Sequence, residues 1–378
     1  MTKKIAVLLP RSDMFPRLAL DFLNGLKLSL QQKVAQDEIE FIIESIGTAT
    51  DASVLKTTEK LLLQNHIDLT IGFCGSNILP EFTTLFKNYK KPLIHVGLGA
   101  SVLKDENVNP YVLHHTLNVW QSAYTAASFA VRKFGKKVAI LSSAYDGGYH
   151  ISASFVEGLT AEGGEVVGYF VNPMDYKQMN FSERISEIEK VEPDVILAAF
   201  SYKEGGTMFK ALSKSSLNGN VPILTIPLMT DESFNTENYN IQLVQSFATW
   251  SFADETEEMQ YFNSEYYTSY DEQPTVISLL GFEVGLTILK VLEDEEKIPR
   301  NLSEALKNKK IKTPRGQIQY DEMNQAIAPN MLLRDFKYEN SKYVNKVSKK
   351  VEFSIPKEVI HKFKTLPDPG WHNPYICT

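Results

Sequence analysis

The feature that most constrains this chain is the stretch 136–200, KKVAILSSAYDGGYHISASFVEGLTAEGGEVVGYFVNPMDYKQMNFSERISEIEKVEPDVILAAF. Three short apolar runs, 138–141, 166–170 and 195–200, are separated by two amphipathic helical segments, 151–162 and 181–191. Buried runs of that length alternating with helices predict parallel strands joined by crossover helices. The loop after the first run, 142–149 (SSAYDGGY), falls at the strand end where ligands bind in an open α/β sheet.

The same alternation fills the first hundred residues. Apolar runs at 5–9, 41–46, 69–73 and 92–96 are separated by helical patterns, the first with Ala19, Phe22, Leu23, Leu26 and Leu30 on one face. Thr50 or Asp51 can cap the second helix. After 111–116 the pattern restarts with a helix at 120–133, and it continues to a strand at 222–226. Beyond an apolar segment at 244–251 come helices at 257–270 and 275–292, a strand at 316–320 and a hairpin of 331–338 with 343–353. The tail from Ile355 gives no clear element. At 378 residues the chain is too long for one core and implies two lobes.

Composition narrows the function classes. A formal charge of −7 argues against a general nucleic-acid binder. No apolar run approaches the roughly 18–20 residues of a membrane span. The two cysteines, Cys74 and Cys377, form no disulfide framework and have no metal-ligand spacing. His114-His115 is the one histidine pair, and neighbours on a strand point to opposite faces. No G-x-S-x-G elbow, Walker A loop, H-E-x-x-H or dinucleotide fingerprint occurs, so neither an enzyme nor a cofactor is expected. The apolar run IAVLLP near the N-terminus is too short for a signal h-region and reads as the first strand. The expectation is therefore a cytoplasmic protein if this is the native start, or an extracytoplasmic one whose signal has been removed.

Several pieces spread over about residues 4–340 resemble the branched-chain amino-acid-binding family of type I periplasmic binding proteins, the substrate receptors of ABC importers. They include KIAVLLP, DLTIGFCGSN, KPLIHVGLGAS, the stretch from KFGKKVAILSSAYDGG to GYF, EPDVILAAFSYKEGG, and KTPRGQIQYDE. The resemblance implies two doubly wound α/β lobes joined by three hinge crossings near 113–118, 248–251 and 326–330, with a ligand between the lobes and an ABC permease as partner. Lobe 1 would comprise 1–116 with 251–327 and lobe 2 117–250 with 328–354, leaving 355–378 as a tail. Closure would be by hinge bending.

Candidate contacts follow. In the loop after the third strand, backbone N–H groups with the Ser76 hydroxyl and Asn77 can hold a ligand carboxylate at a helix start, or Ser76 or Asn77 can simply cap that helix. The equivalent loop after the fourth strand offers Gly99, Ala100 and Ser101, where family members often carry a ligand-touching serine or threonine. From the other lobe the resemblance implies an aromatic residue in 142–149, here Tyr145 or Tyr149, with Asp146 able to meet an ammonium or only to shape the turn. Tyr202 matches the family's second cleft tyrosine in position and context; its alternative is packing over a helix start. The acid that grips an amino group in the family would fall at Pro227, Leu228 or Met229, none of them acidic. An ammonium buried without a carboxylate is costly, so Asp231 or Asp146 takes that role or the ligand is not an α-amino acid. Phe15 or Arg17 can reach the cleft from the first loop, and Trp250 can line it or sit in the core. The same fold could instead serve a cytosolic sensor read by a regulatory partner.

Overall fold

The computed structural model describes residues 2–31, 38–64, 66–144, 149–173, 180–293, 296–352 and 354–367. The first lobe begins β1 (Lys3–Leu9), α1 (Leu18–Gln31), β2 (Ile39–Ser45), α2 (Asp51–Gln64), β3 (Leu69–Phe73), α3 (Leu79–Tyr89), β4 (Leu93–Gly97) and β5 (Val112–Thr116). The five strands pair in parallel in the order β2-β1-β3-β4-β5. Both faces are covered, which is why the inner strands read as unbroken apolar runs. Along β1, Ile5, Val7 and Leu9 join Phe22 and Leu26 of α1 on one face. Ala6 and Leu8 join Val54 and Leu61 of α2 and Phe82 of α3 on the other. The period-2 alternation of the strand thus feeds two separate cores.

The second lobe continues with α4 (Val119–Phe134), β6 (Lys137–Ser142), α5 (His150–Ala161), β7 (Glu165–Val171), α6 (Phe181–Lys190), β8 (Val195–Ala199), α7 (Tyr202–Leu212), β9 (Ile223–Thr225) and β10 (Val244–Ala248). The chain then returns to the first lobe through α8 (Glu257–Tyr270), α9 (Val276–Leu292), α10 (Leu302–Ala305) and the small sheet of β11 (Ile311–Thr313), β12 (Gly316–Tyr320) and β13 (Ala326–Ile327). Finally β14 (Met331–Glu339) and β15 (Lys342–Val351) add antiparallel to β10, giving a seven-stranded sheet in the order β15-β14-β10-β9-β8-β6-β7. The chain therefore passes between the two sheets three times, after β5, after β10 and after β13.

The return of α9 to the first lobe rests on a close helix pair with α1. A Cβ on Gly25 would lie 1.9 Å from the Ser278 carbonyl oxygen, and one on Gly281 would lie 2.1 Å from that of Phe22. Only glycine lets the two backbones approach so closely.

From 355 on, where the sequence pattern gives no element, Lys357–Lys364 forms a helix, α11. Pro356 starts it, and Val359 and Phe363, four residues apart, supply its buried side. Phe363 is fully buried and sits edge-on to Trp120 of α4, with ring centroids 5.6 Å apart. Lys362 pairs with Glu157 of α5 and Lys364 with Asp105, so α11 contacts elements of both lobes.

Candidate functional site

The first-lobe side of the site lies at the C-terminal ends of β3 and β4. After Phe73 the chain turns through Cys74-Gly75-Ser76 into α3, whose N-cap is Ile78. Neither Ser76 nor Asn77 caps that helix with its side chain. The Ser76 hydroxyl instead donates to Ser101 Oγ at 3.4 Å, across to the loop that follows β4. The Asn77 Oδ1 atom is shielded and has no hydrogen-bond partner among the described residues. In the second loop Gly99 has φ +71°, and a Cβ on it would lie 2.6 Å from the Asn118 nitrogen. That close approach lets the Gly99 carbonyl accept from the Trp120 N–H at 2.9 Å, fixing the loop to the start of α4. Ser76, Gly99, Ala100 and Ser101 line one pocket of about 60 Å³; His95 and His114 share its wall.

Sequence reasoning missed the two histidines of this pocket. His95 and His114 are almost fully buried on adjacent strands, their Nδ1 atoms 3.1 Å apart. The outer nitrogens face carbonyls, His95 Nε2 that of Cys74 at 3.1 Å and His114 Nε2 that of Asn107 at 3.2 Å. Burial pushes both below the usual histidine range, to about 4 for His95 and about 3 for His114. A signal existed in LIHVG, since a histidine in a wholly buried strand must find polar partners. Cys74 is buried too, and burial pushes its thiol up.

On the second-lobe side, Tyr149 is half-buried and extended immediately before α5. Tyr145 and Asp146 lie outside the described residues. The next residue along, His150, accepts at Nδ1 from the Val102 N–H at 2.8 Å, joining the lobes on one flank. Tyr202 is the first residue of α7, whose start is fixed by a reciprocal capping box between Ser201 and Glu204. Its ring stacks on Phe234 at 4.4 Å, and Phe15 from the first lobe meets both rings edge-on, at 6.4 and 5.3 Å. Lys203 Nζ donates to the Asp13 carbonyl at 2.8 Å, so the lobes also touch on this flank. Tyr202 thus sits at a helix start and against the other lobe, and it does not line the pocket of Ser76 and Ser101.

Asp231 is 6% exposed, and its Oδ1 accepts from the Ser233 N–H at 2.9 Å. Burial raises its pKa, and burial followed by the charge of Asp231 raises that of Tyr202. Arg17 is turned away to a carboxylate pair, donating to Glu272 with Nη1 at 2.7 Å and lying 3.4 Å from Asp21. Trp250 is buried beneath Arg334, whose guanidinium carbon lies 5.0 Å from the ring centroid. Among the described residues no three His, Cys, Asp or Glu side chains are grouped to hold a metal ion.

The three crossings run side by side and are tied by buried polar groups. Asn118 Nδ2 donates to the Ala326 carbonyl at 2.8 Å, and Thr249 Oγ1 to that of Leu117 at 3.3 Å. Arg315 Nη1 reaches both the Thr116 carbonyl and Thr249 Oγ1, each at 3.1 Å. Its Nη2 donates to Glu283 Oε2 at 2.6 Å, and His115 Nε2 lies 3.0 Å from the same oxygen. His115 and His114 therefore serve opposite faces of β5, as adjacent strand residues must.

Two α/β lobes, three adjacent crossings and a pocket at the strand ends of the first lobe have the architecture of a two-lobed binding protein. The chain belongs to the periplasmic binding protein family, whose model matches residues 2–340. A Leu/Ile/Val-binding protein homolog 6 of Brucella melitensis is 21% identical over 358 residues, covering 91% of this chain and 90% of the relative. An ABC transporter substrate-binding protein from Sphaerobacter thermophilus superimposes with a TM-score of 0.83 at 20% identity, covering 93% of this chain and 98% of that one. A solute-binding protein of an ABC transporter from Rhodopseudomonas palustris, solved with p-hydroxybenzoic acid, gives a TM-score of 0.78 at 20% identity, over 93% and 97% of the two chains.

Proposed function

We propose that this chain is a non-catalytic solute-binding receptor of an ABC importer, working outside the cytoplasm, and that it takes a small carboxylate with an apolar or aromatic body. The observation that carries the reading is the pocket itself. Ser76 and Ser101 face each other across the strand ends that hold ligands in open α/β sheets. On the other lobe Tyr202, stacked on Phe234 and outside the lining of that pocket, is the aromatic wall that closure would add. Closure about the three crossings would trap the solute and shape the surface met by the permease.

The relatives are named for branched-chain amino acids in one case and solved with a hydroxybenzoate in another. Two features favour an acid without an ammonium group. Leu228 and Met229 are buried apolar residues where the resemblance implies a carboxylate. The nearest acid, Asp231, already accepts a backbone hydrogen bond from Ser233. A thermal-shift screen of leucine, isoleucine, benzoate and p-hydroxybenzoate tests the reading. A solute at 100 times its Kd stabilises by about 2.7 kcal/mol, which raises the Tm of a chain this size by several degrees. A flat response to every acid would remove the carboxylate reading. In the same assay, Tyr202→Ala is expected to weaken binding of the active solute by about 1–3 kcal/mol through lost aromatic packing. Unchanged affinity in a folded variant would take Tyr202 out of the site.

A further inference from the structure

The buried histidine pair presents a proton-counting problem. A neutral imidazole carries one N–H, at one nitrogen or the other. The contact of His95 Nε2 with the Cys74 carbonyl needs a proton on that nitrogen, and the contact of His114 Nε2 with the Asn107 carbonyl needs another. The Nδ1 to Nδ1 contact at 3.1 Å needs a third, on one ring or the other. Two neutral rings supply only two. The arrangement is fully hydrogen-bonded only when the pair holds one extra proton, which makes it a shared cation.

We propose that His95 and His114 together form the charge-balancing element of the solute pocket, taking up one proton as a carboxylate enters, so that the solute binds as an anion plus a proton. This rests on the pocket being the solute site, and it narrows the solute to an acid carrying net negative charge. A zwitterionic amino acid brings its own cation and needs no such partner.

The surroundings leave the pair to answer to the ligand. From the end of β3 it meets the Cys74 carbonyl and a buried neutral thiol. From the turn Asp105–Asn107 it meets the Asn107 carbonyl, while Asp105 is engaged by Lys364. Gln325, from the chain entering β13, adds a neutral amide to the pocket wall. Across β5, Glu283 and Arg315 belong to His115 and to each other on the opposite face. Among the described residues no carboxylate is hydrogen-bonded to either ring, and the charge of Asp51 acts on the neighbouring Cys74 thiol. In the empty pocket burial therefore keeps it neutral, with one of its three contacts lacking a proton. An incoming carboxylate supplies the missing negative charge and restores the third hydrogen bond.

The sign of the pH dependence follows from linkage. Because the liganded form holds the extra proton more tightly, affinity rises as pH falls between the bound and free titrations, approaching tenfold per pH unit in that window. The test is calorimetry of benzoate, p-hydroxybenzoate and isoleucine between about pH 5.5 and 8, above the titration of the acids themselves. Two buffers of different ionisation enthalpy are used, so that proton uptake is read directly. Nitrogen-15 NMR of histidine-labelled protein, free and bound, reports the ring protonation independently. The expected result is uptake near one proton per aromatic acid bound, with a bound-state signal of one protonated imidazole in the pair. His114→Asn and His95→Asn should abolish the uptake. Should either fail to fold, the wild-type measurement decides alone. Binding with no proton uptake and two neutral rings overturns this inference and leaves the receptor reading standing. Absence of binding by all three probes overturns both.

Discussion

Glu283→Ala is expected to cost about 3–5 kcal/mol of stability, the penalty for leaving a buried charge without its partner. The uncompensated group would be Arg315, fully buried, whose Nε and Nη2 both donate to Glu283, at 2.8 Å and 2.6 Å to Oε2. Burial alone would raise the pKa of Glu283, but the charge of Arg315 and the hydrogen bond from His115 outweigh it and bring it down to about 2. The folded pKa lies below the ordinary carboxylate value. The contribution of Glu283 is therefore present above about pH 4.5 and lost as pH falls toward 2. Urea unfolding across that range measures both effects. A variant within 1 kcal/mol of the parent at neutral pH would show that the pair contributes little beyond its own desolvation.

Arg334→Met is expected to be comparably damaging, by about 3–5 kcal/mol at pH 8. Arg334 is among the largest fully buried side chains, and it donates to Ser246 Oγ at 2.9 Å and the Trp250 carbonyl at 3.1 Å. Burial lowers its pKa to about 10, so it remains a cation at neutral pH. Close by, burial pushes Glu232 up to about 7, with the charge of Arg334 holding it back from rising further. Asn345 donates to Glu232, and Asp231 adds a second acid to the cluster. Removing the cation leaves these carboxylates facing each other. The sign is opposite to that of Glu283. A raised carboxylate pKa favours the folded state at low pH and loses that benefit as pH rises through about 7. The penalty of Arg334→Met should therefore shrink between pH 8 and pH 5 as Glu232 takes up its proton. A penalty independent of pH would separate Arg334 from the acids and leave only its hydrogen bonds and its stacking on Trp250.

Much of the fold could be read from residues alone, for a physical reason. Strands buried on both faces must be apolar throughout, so LTIGF and VILAA announce themselves. Helices with one buried stripe are equally legible; Glu257–Tyr270 and the strand Gly316–Tyr320 lie where the pattern puts them. Helix α11 was opaque because its buried side consists of two residues, Val359 and Phe363, in a short basic segment behind a proline. The site divides in the same way. Ser76 and Ser101 could be placed because strand order puts both loops on one sheet edge. The partner of His95 lies 19 residues away on the next strand, and no local periodicity encodes that meeting. Arg17 could not be assigned from the sequence either, because its partner Glu272 lies in the segment between α8 and α9, far along the chain.

The bonds joining Asn118 to Ala326, Thr249 to Leu117 and Arg315 to both of the first two crossings gather three strands of chain into one knot. Under the proposed closure that knot acts as a fulcrum, and displacement grows with distance from it. Thr116 and Thr249 then move hardly at all, which is why fully buried charges can be kept there without being pulled apart at each cycle. Outside that knot, Phe15 of the first lobe meets Tyr202 and Phe234 of the second in contacts of a kind that can part and re-form, ring against ring. The dense polar network is kept where there is little motion, while the single interlobe bonds on the flanks, Val102 to His150 and Lys203 to Asp13, are ones that closure must remake.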